Sequence, residues 1–370
     1  MSPSFIKHFS KLKDPRIERS KQHELMDILV LTIAAMLSGA NGWEAIAEFG
    51  NSKIDWLRQF APFKNGIPSH DCIAYVISRL SPKQFQECFI NWISEIHEHT
   101  AGEVIAIDGK TARGSRDKKY DRKPLHMVTA WATANGIVLG QEVTAEKSNE
   151  ITAIPNLLQL LELHGCIVTI DAMGCQRDIA AQIVTQGGDY VLGLKGNQET
   201  MHEATEDFFV TAETNDFQDI KHDFKEEVDC DHGRIETRRY WITEDLSTLP
   251  NTELWKGLKS IGMVERICEV EGGTEVERRF FLTSIPADAG TFAGAVRGHW
   301  GIENTLHWRL DVTFNEDASR IRKGSAPAIM TSIRHMCVNL FKKAGSELSC
   351  SMQRLKAAWN DNFRSEVLRV

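Results

Sequence analysis

The sequence predicts a mixed α/β protein with a helical front end, and three observations carry that prediction. Short β-rich runs alternate with helical stretches over residues 104–197, two of those runs end on an aspartate, and residues 1–99 are patterned for helices alone. In the first stretch, helices are expected from about His23 to Leu37, Gly42 to Phe49, Ser52 to Phe60, Ser69 to Leu80 and Ser81 to His97. Ser69 and Ser81 are suitable N-caps, Pro82 suits a first helical position, and NGIP at 65–68 is a turn signal. Several short helices of this kind suit a helix-turn-helix-like module with Ser69–Leu80 as its recognition helix, and equally suit ordinary helical packing.

From Glu103 the pattern changes. VIAID is a short β-rich run that closes on Asp108. HMVTAWATANGIVLGQEVTA follows, two alternating runs around an Asn-Gly, which predicts a hairpin and an antiparallel meander of the first three strands. A helix over 151–163, opened near its first turn by Pro155, leads to the strand CIVTIDAMG with its Asp171. A helix over 178–187 and the strand DYVLGLKGN complete the run. This β-β-β-α-β-α-β order with acids at two strand ends is the signature of an RNase H-like core.

Residues 198–286 interrupt it, with a helix near Glu199–Phe209, an acidic loop and three strand-like runs at 235–243, 258–270 and 276–285. Helices are expected again over about 289–310 and 326–343. The domains expected are therefore a helical one over 1–99, a catalytic one over 100–345 with a mostly β insertion at about 198–286, and a helical tail over 346–370.

The chain has 370 residues, with 42% hydrophobic and 25% charged, ordinary values for a globular protein that can build at least one sizeable core. DILVLTIAAMLSGA, from Asp27, is the most apolar stretch; it is too short to cross a membrane and reads as a buried helix. The eight cysteines are scattered without a CxxC pair, which excludes a disulfide scaffold or zinc ribbon and fits a reducing, cytoplasmic compartment. Cys230 and His232 lie close in DCDHGR, but no second ligand pair accompanies them.

The net charge of −8 argues against a general nucleic-acid binder, yet the cations cluster in three places. These are residues 7–23, residues 110–123 and the stretch after Arg297, which includes Arg320, Arg322 and Lys323. Such clusters are compatible with a local nucleic-acid surface as well as with solvated faces.

Asp108 and Asp171 would lie side by side in an RNase H-like sheet. Close carboxylates repel unless a cation sits between them, and Mg²⁺ prefers oxygen ligands. A third acid on a nearby helix would complete a two-metal site for phosphodiester chemistry. Glu303, in RGHWGIENTLHWRLD, is the best third residue: a Glu amid apolar neighbours is costly unless it is paired or metal-bound. His299 and His307 share its helical face at spacings of four, either to frame it or to touch DNA.

The motifs KLKDPRIERSKQHELMDILVLTI, IAIDGKTARGS, EKSNEITAIPNLL, TIDAMGCQRDIA, GGDYVLGLKGNQ, DHGRIETRR and RGHWGIENTLHWRLDVTFNEDASRIRKG, in this order, resemble the ISAs-type DDE transposases, which include the H-repeat-associated proteins. The resemblance runs from about residue 7 past residue 340. It implies Asp108, Asp171 and Glu303 as a metal-binding triad for Mg²⁺, with Mn²⁺ as substitute, two ions per site. It implies cleavage at the ends of an insertion sequence, transfer of the freed 3′-OH into target DNA, and a homodimer or larger assembly on paired ends, with no membrane partner.

Lys110 and Arg113 would lie where a DNA phosphate passes; Lys195, Asn197, His232 and Arg234 are further candidate contacts, with Arg297, His299, His307 and Arg309 around the last acid. Related transposases with such an insertion carry a Tyr–Arg–Glu–Lys signature, whose Tyr, Arg and Lys places hold Val296, His299 and Leu310 here; Cys72 and Tyr75 likewise stand where relatives carry Thr and Arg. Two other readings stay open: a nuclease of the same fold that does not join strands, and a DNA-binding derivative that has lost catalysis.

Overall fold

The computed structural model of the protein describes residues 1–97, 100, 102–144, 150–231, 234–270 and 273–370. It opens with five helices: α1 (Pro3–Phe9), α2 (Leu25–Leu37), α3 (Trp43–Leu57), α4 (His70–Ile77) and α5 (Pro82–Ile96). Then come β1 (Val104–Ala112), β2 (Leu125–Ala132), β3 (Ile137–Thr144), α6 (Glu150–Leu158), β4 (Ile167–Ile170), α7 (Arg177–Thr185), β5 (Asp189–Leu194) and α8 (Glu199–Thr214). Four long strands follow, β6 (His222–Asp231), β7 (Arg234–Thr243), β8 (Ser260–Val270) and β9 (Gly273–Thr283). The chain closes with α9 (Ala289–Gly301), two π-helical stretches, α10 (Ala326–Lys343), α11 (Cys350–Trp359) and α12 (Asp361–Arg369).

Local chemistry explains several boundaries. Ser69 Oγ accepts the Cys72 N–H at 3.2 Å and Ser81 Oγ accepts the Gln84 N–H at 3.3 Å, so both serines cap as expected. The two helices expected over 42–60 meet at a kink inside α3, where Lys53 leaves helical geometry at φ −127° and ψ 20°. The polar NSK segment marks the break, and Ile46 before it and Trp56 and Leu57 after it anchor both pieces by burial.

The chain forms two compact units. One gathers Met1–Glu98, Gly109–Asn149 and Glu303–Val370. In it α2 is buried along its length except at Met26, as is α10 from Ala328 to Phe341; helices apolar all round belong inside a core. Phe5, Phe9, Phe85, Phe89 and Trp92 stack edge to face where α1 meets α5. β2 and β3 pair antiparallel, with Gly136 at φ +63° in the turn over 133–136. β3 has its other side covered by α10: Asn339 accepts the Val138 N–H and donates to the Val138 carbonyl, both at 2.8 Å.

The second unit, His99–Asp108 and Glu150–Ile302, holds a mixed sheet in the order β1-β4-β5-β9-β8-β7-β6. β1, β4 and β5 run parallel, and the others are antiparallel. The stretch expected as an insertion supplies β6 to β9, which continue the sheet outward from β5 through the register Val191↔Thr283. α9 covers one face, with Phe292, Ala293 and Val296 packed among Ile167, Val191, Tyr240, Ile242 and Val264. Among the described residues no helix is long and apolar enough to cross a membrane.

Candidate active site

Asp171 directly follows β4, whereas Asp108, expected to close its strand, lies inside β1, which runs on to Ala112; the two come together because their strands are parallel and in register. Ile105, Ala106 and Ile107 of β1 and all four residues of β4 are buried, which fixes both strands inside the second unit. Val104 pairs with Ile167 and Ile107 with Ile170, so Asp108 and Asp171 are the next residues on two adjacent strands, at the same edge. The carboxyl end of a parallel sheet is where ligands of such folds bind. Both aspartates are half-buried.

The Asp171 loop is held in place. Asp171 Oδ1 accepts the Met173 N–H at 3.0 Å and the Gly174 N–H at 3.4 Å. A Cβ on Gly174 would come within 2.2 Å of Ile170 Cγ2, so the turn admits only glycine there. Asn197 Nδ2 donates to the Ala172 carbonyl at 2.6 Å, and Gln198 Nε2 donates to the Cys175 carbonyl at 3.0 Å. Asn197, expected as a DNA contact, thus braces this loop, while the neighbouring Lys195 is exposed. The Cys175 thiol is pushed up to about 12 by burial and by the Asp171 charge, so it stays protonated and takes no part as a thiolate.

α9 also meets β4 through a polar contact: His299 Nδ1 lies 3.1 Å from Thr169 Oγ1. Burial holds the His299 pKa below its ordinary value, against the pull of the Asp171 charge. His299, expected as a DNA contact, thus engages a core strand through one ring nitrogen. Arg297 is half-exposed, with Nη2 3.8 Å from Asp229 Oδ2. Trp300 lies under the Arg279 guanidinium at 4.1 Å.

Past Gly301 the helix does not stay α-helical. Residues Ile302–His307 and Arg309–Thr313 wind as π-helix, a form with hydrogen bonds five residues apart that is frequent at functional sites. Glu303 opens this stretch and is exposed, rather than buried among apolar neighbours as its sequence surroundings suggest; His307 and Arg309 are half-buried.

In the first unit the cations after Asp108 take different roles. Lys110 Nζ lies 2.7 Å from Asp311 Oδ1, 3.4 Å from Glu316 Oε2 and 3.8 Å from Asp317 Oδ1, with its side chain only 12% exposed. The charge expected to meet a phosphate is thus answered by three acids of the same unit. Burial works to raise the Glu316 pKa, but Arg334 and Lys110 hold it below the ordinary carboxylate value. Glu316 Oε1 also accepts from Thr331 Oγ1 at 2.8 Å and from Arg334 Nη1 at 3.3 Å. Sequence reasoning missed this cluster, since its members are separated by some two hundred positions. Arg113, by contrast, points out, its side chain 85% exposed. Arg234 begins β7, and His232 lies outside the described residues.

The donor set at the strand ends suits a hard divalent cation: two carboxylates on neighbouring strands, one with an oxygen already fixed by backbone N–H groups. Among the described residues no group of three or more His, Cys, Asp and Glu is gathered closely enough to hold a metal ion.

A sheet with paired aspartates at its carboxyl edge defines a class that comparison with known proteins identifies. Residues 99–340 match the family described as "Transposase DDE domain", and residues 6–93 match the one described as "DDE_Tnp_1-associated". The chain belongs to the DDE transposase family. It is 43% identical over 373 residues to the "H repeat-associated putative transposase YhhI" of Escherichia coli K12, covering 98% of this chain and 97% of that protein. It is equally 43% identical over 370 residues to "Putative transposase YncI" of Escherichia coli O157:H7, covering 99% and 94%. Among solved structures, a piggyBac transposase synaptic complex with hairpin DNA aligns over 99% of this chain and 78% of that one, with a TM-score of 0.43 and 10% identity, a likeness too low to carry an argument.

Proposed function

We propose that this chain is the transposase of an insertion sequence, cutting DNA at the element's ends and joining the freed strand to a target. The reading rests on one observation above the rest: the parallel register that sets Asp108 and Asp171 side by side at one sheet edge. The core of β1 to β5 is then RNase H-like, with α1 to α5 as a helical DNA-binding region. Asp108, Asp171 and Glu303 would hold Mg²⁺, or Mn²⁺ in its place, as two ions that activate the attacking oxygen and stabilise the leaving one.

The chain's own residues do the rest. The Met173 and Gly174 N–H groups and the Asn197 clamp keep the Asp171 carboxylate aimed, so no reorganisation is needed when DNA arrives. His299, braced on Thr169, sets the end of α9 from which Glu303 extends. Arg113, Lys195, Arg234, Arg297, His307 and Arg309 are the assigned phosphate and base contacts.

In the first step a water oxygen attacks the scissile phosphorus in line, and the bond to the 3′ oxygen breaks to leave a 3′-OH. In the second that 3′-OH attacks a target phosphorus and displaces the target's own 3′ oxygen. Paired ends require at least two copies of the chain.

The test is cleavage of a labelled duplex carrying the element's end, in Mg²⁺ and in Mn²⁺. The native chain should nick it, while Asp108→Asn, Asp171→Asn and Glu303→Gln should still bind but cut at least about a hundredfold more slowly. Native-like cutting by any one variant removes that residue from the triad. No cutting by the native chain with either ion overturns the reading.

A further inference from the structure

Two of the basic clusters of the sequence, around residues 116–123 and 320–323, come together in the first unit. They line a cavity of about 540 Å³ that carries Arg122, Arg320, Arg322 and Lys323, with Asp117 as its one acid. A second hollow of about 320 Å³ shares Arg122 and Arg322 with the first, so the two form one continuous groove. We propose that this groove binds a single-stranded stretch of DNA, with phosphates on the cations and a base against Tyr120. This rests on the reading of the chain as a DNA-acting transposase and assigns a second contact surface, separate from the acids.

Four features distinguish the groove from a solvated basic face. First, Arg322 is set in place: its Nε donates to the Gly114 carbonyl at 3.0 Å, which leaves the ends of the guanidinium to meet a phosphate. Gly114 can come this close only without a side chain, since a Cβ there would lie 2.4 Å from the Ser319 carbonyl oxygen. Secondly, Arg320 and Lys323 are exposed, and no carboxylate pairs with them among the described residues. Asp117 is outnumbered by the four cations of the lining, and its Oδ1 accepts the Lys119 N–H at 3.0 Å.

Thirdly, the 18-residue helix α10 starts at the groove, where Ala326 lines the first hollow and Ser325 the second, which sets the positive end of the helix dipole beside both. Fourthly, Tyr120 is 65% exposed at the rim, with Lys119 Nζ 5.5 Å and the Arg122 guanidinium 5.9 Å from its ring centre. Cations beside an open aromatic ring are the parts used by proteins that hold single strands without sequence preference. The far wall comes from α4 through Ala74 and Ser78, so the helix expected to read DNA meets the groove by its small side chains.

The experiment measures binding of the full chain to a labelled duplex with a single-stranded overhang, across a series of salt concentrations. For the double variant Arg320→Ala/Lys323→Ala, the slope of log affinity against log salt should fall by about 1.4, the loss expected for two single-strand phosphate contacts. Tyr120→Ala should weaken binding roughly tenfold with the slope unchanged, and Tyr120→Phe should restore it. Removing two exposed lysines elsewhere, Lys64→Ala/Lys256→Ala, should change the slope by much less.

Native binding together with unchanged slope in the groove variant overturns the groove and leaves the transposase reading standing. An equal fall in the Lys64/Lys256 control also overturns the groove. Failure of the native chain to bind DNA at any salt overturns both.

Discussion

Glu316 shows how a single side chain can organise its surroundings. Its carboxylate is nearly sealed from solvent and is answered by Arg334, Lys110 and the Thr331 hydroxyl. Such a pair adds little net stability against an apolar replacement of the same shape, but removal of one partner leaves a charge buried alone. Glu316→Gln should therefore lower the unfolding free energy by about 3 kcal/mol or more, read by urea denaturation. A loss well below 1 kcal/mol would mean that Asp311 and Asp317 alone satisfy Lys110. The aspartates of the candidate site were legible in the sequence because an acid at the end of an apolar β-run has few structural uses. The acids that answer Lys110 were not legible in the same way, since they lie on a distant segment.

At the scale of the element, α9 depends on a bare spot in the sheet. A Cβ added to Gly262 of β8 would lie 2.4 Å from the Phe292 ring, so the glycine makes room for the helix that carries His299. Gly262→Ala should destabilise the protein by about 1–3 kcal/mol, through overpacking, and Phe292→Leu in the same chain should recover part of that loss. Thermal unfolding of the three variants checks both arms; no recovery would place the strain elsewhere than the ring. The start of α9 was legible in the sequence, which predicts a helix from about 289; the fold adds Asp288 as its cap, accepting the Thr291 N–H at 2.5 Å. Its passage into π-helix was not, since residue propensities do not separate the two windings and packing decides between them.

For the molecule as a whole, the buried groups around Glu316 make stability depend on pH. His335 is held neutral, its pKa lowered to about 4 chiefly by burial; Glu316 pulls it up while Arg334 and Lys110 push it down. The unfolded chain takes up a proton at this histidine below about pH 6.5, and the folded chain does so only near pH 4. Stability should therefore be full above the upper value and fall as pH drops through that window, by about 3 kcal/mol from this group. His335→Gln should flatten that part of the curve when unfolding is followed by urea at several pH values. An unchanged curve would assign the acid sensitivity to Glu316, which loses its own charge-pair stabilisation as it protonates.

The sequence by itself determined most of the strands and helices, though not α1 or β6, together with the apolar runs that bury β1 and β4, the capping serines and the family, because these depend on local patterns and on motifs that each lie within a few tens of residues. Tertiary structure decided which charges remain available. Lys110 is answered by acids of its own unit, His299 engages a core strand, and Arg320, Arg322 and Lys323 joined Arg122 around one groove. The physical reason is that a charge is spent or left free by whatever the fold brings within a few ångströms of it, and that partner is set by sheet register and helix packing across many residues.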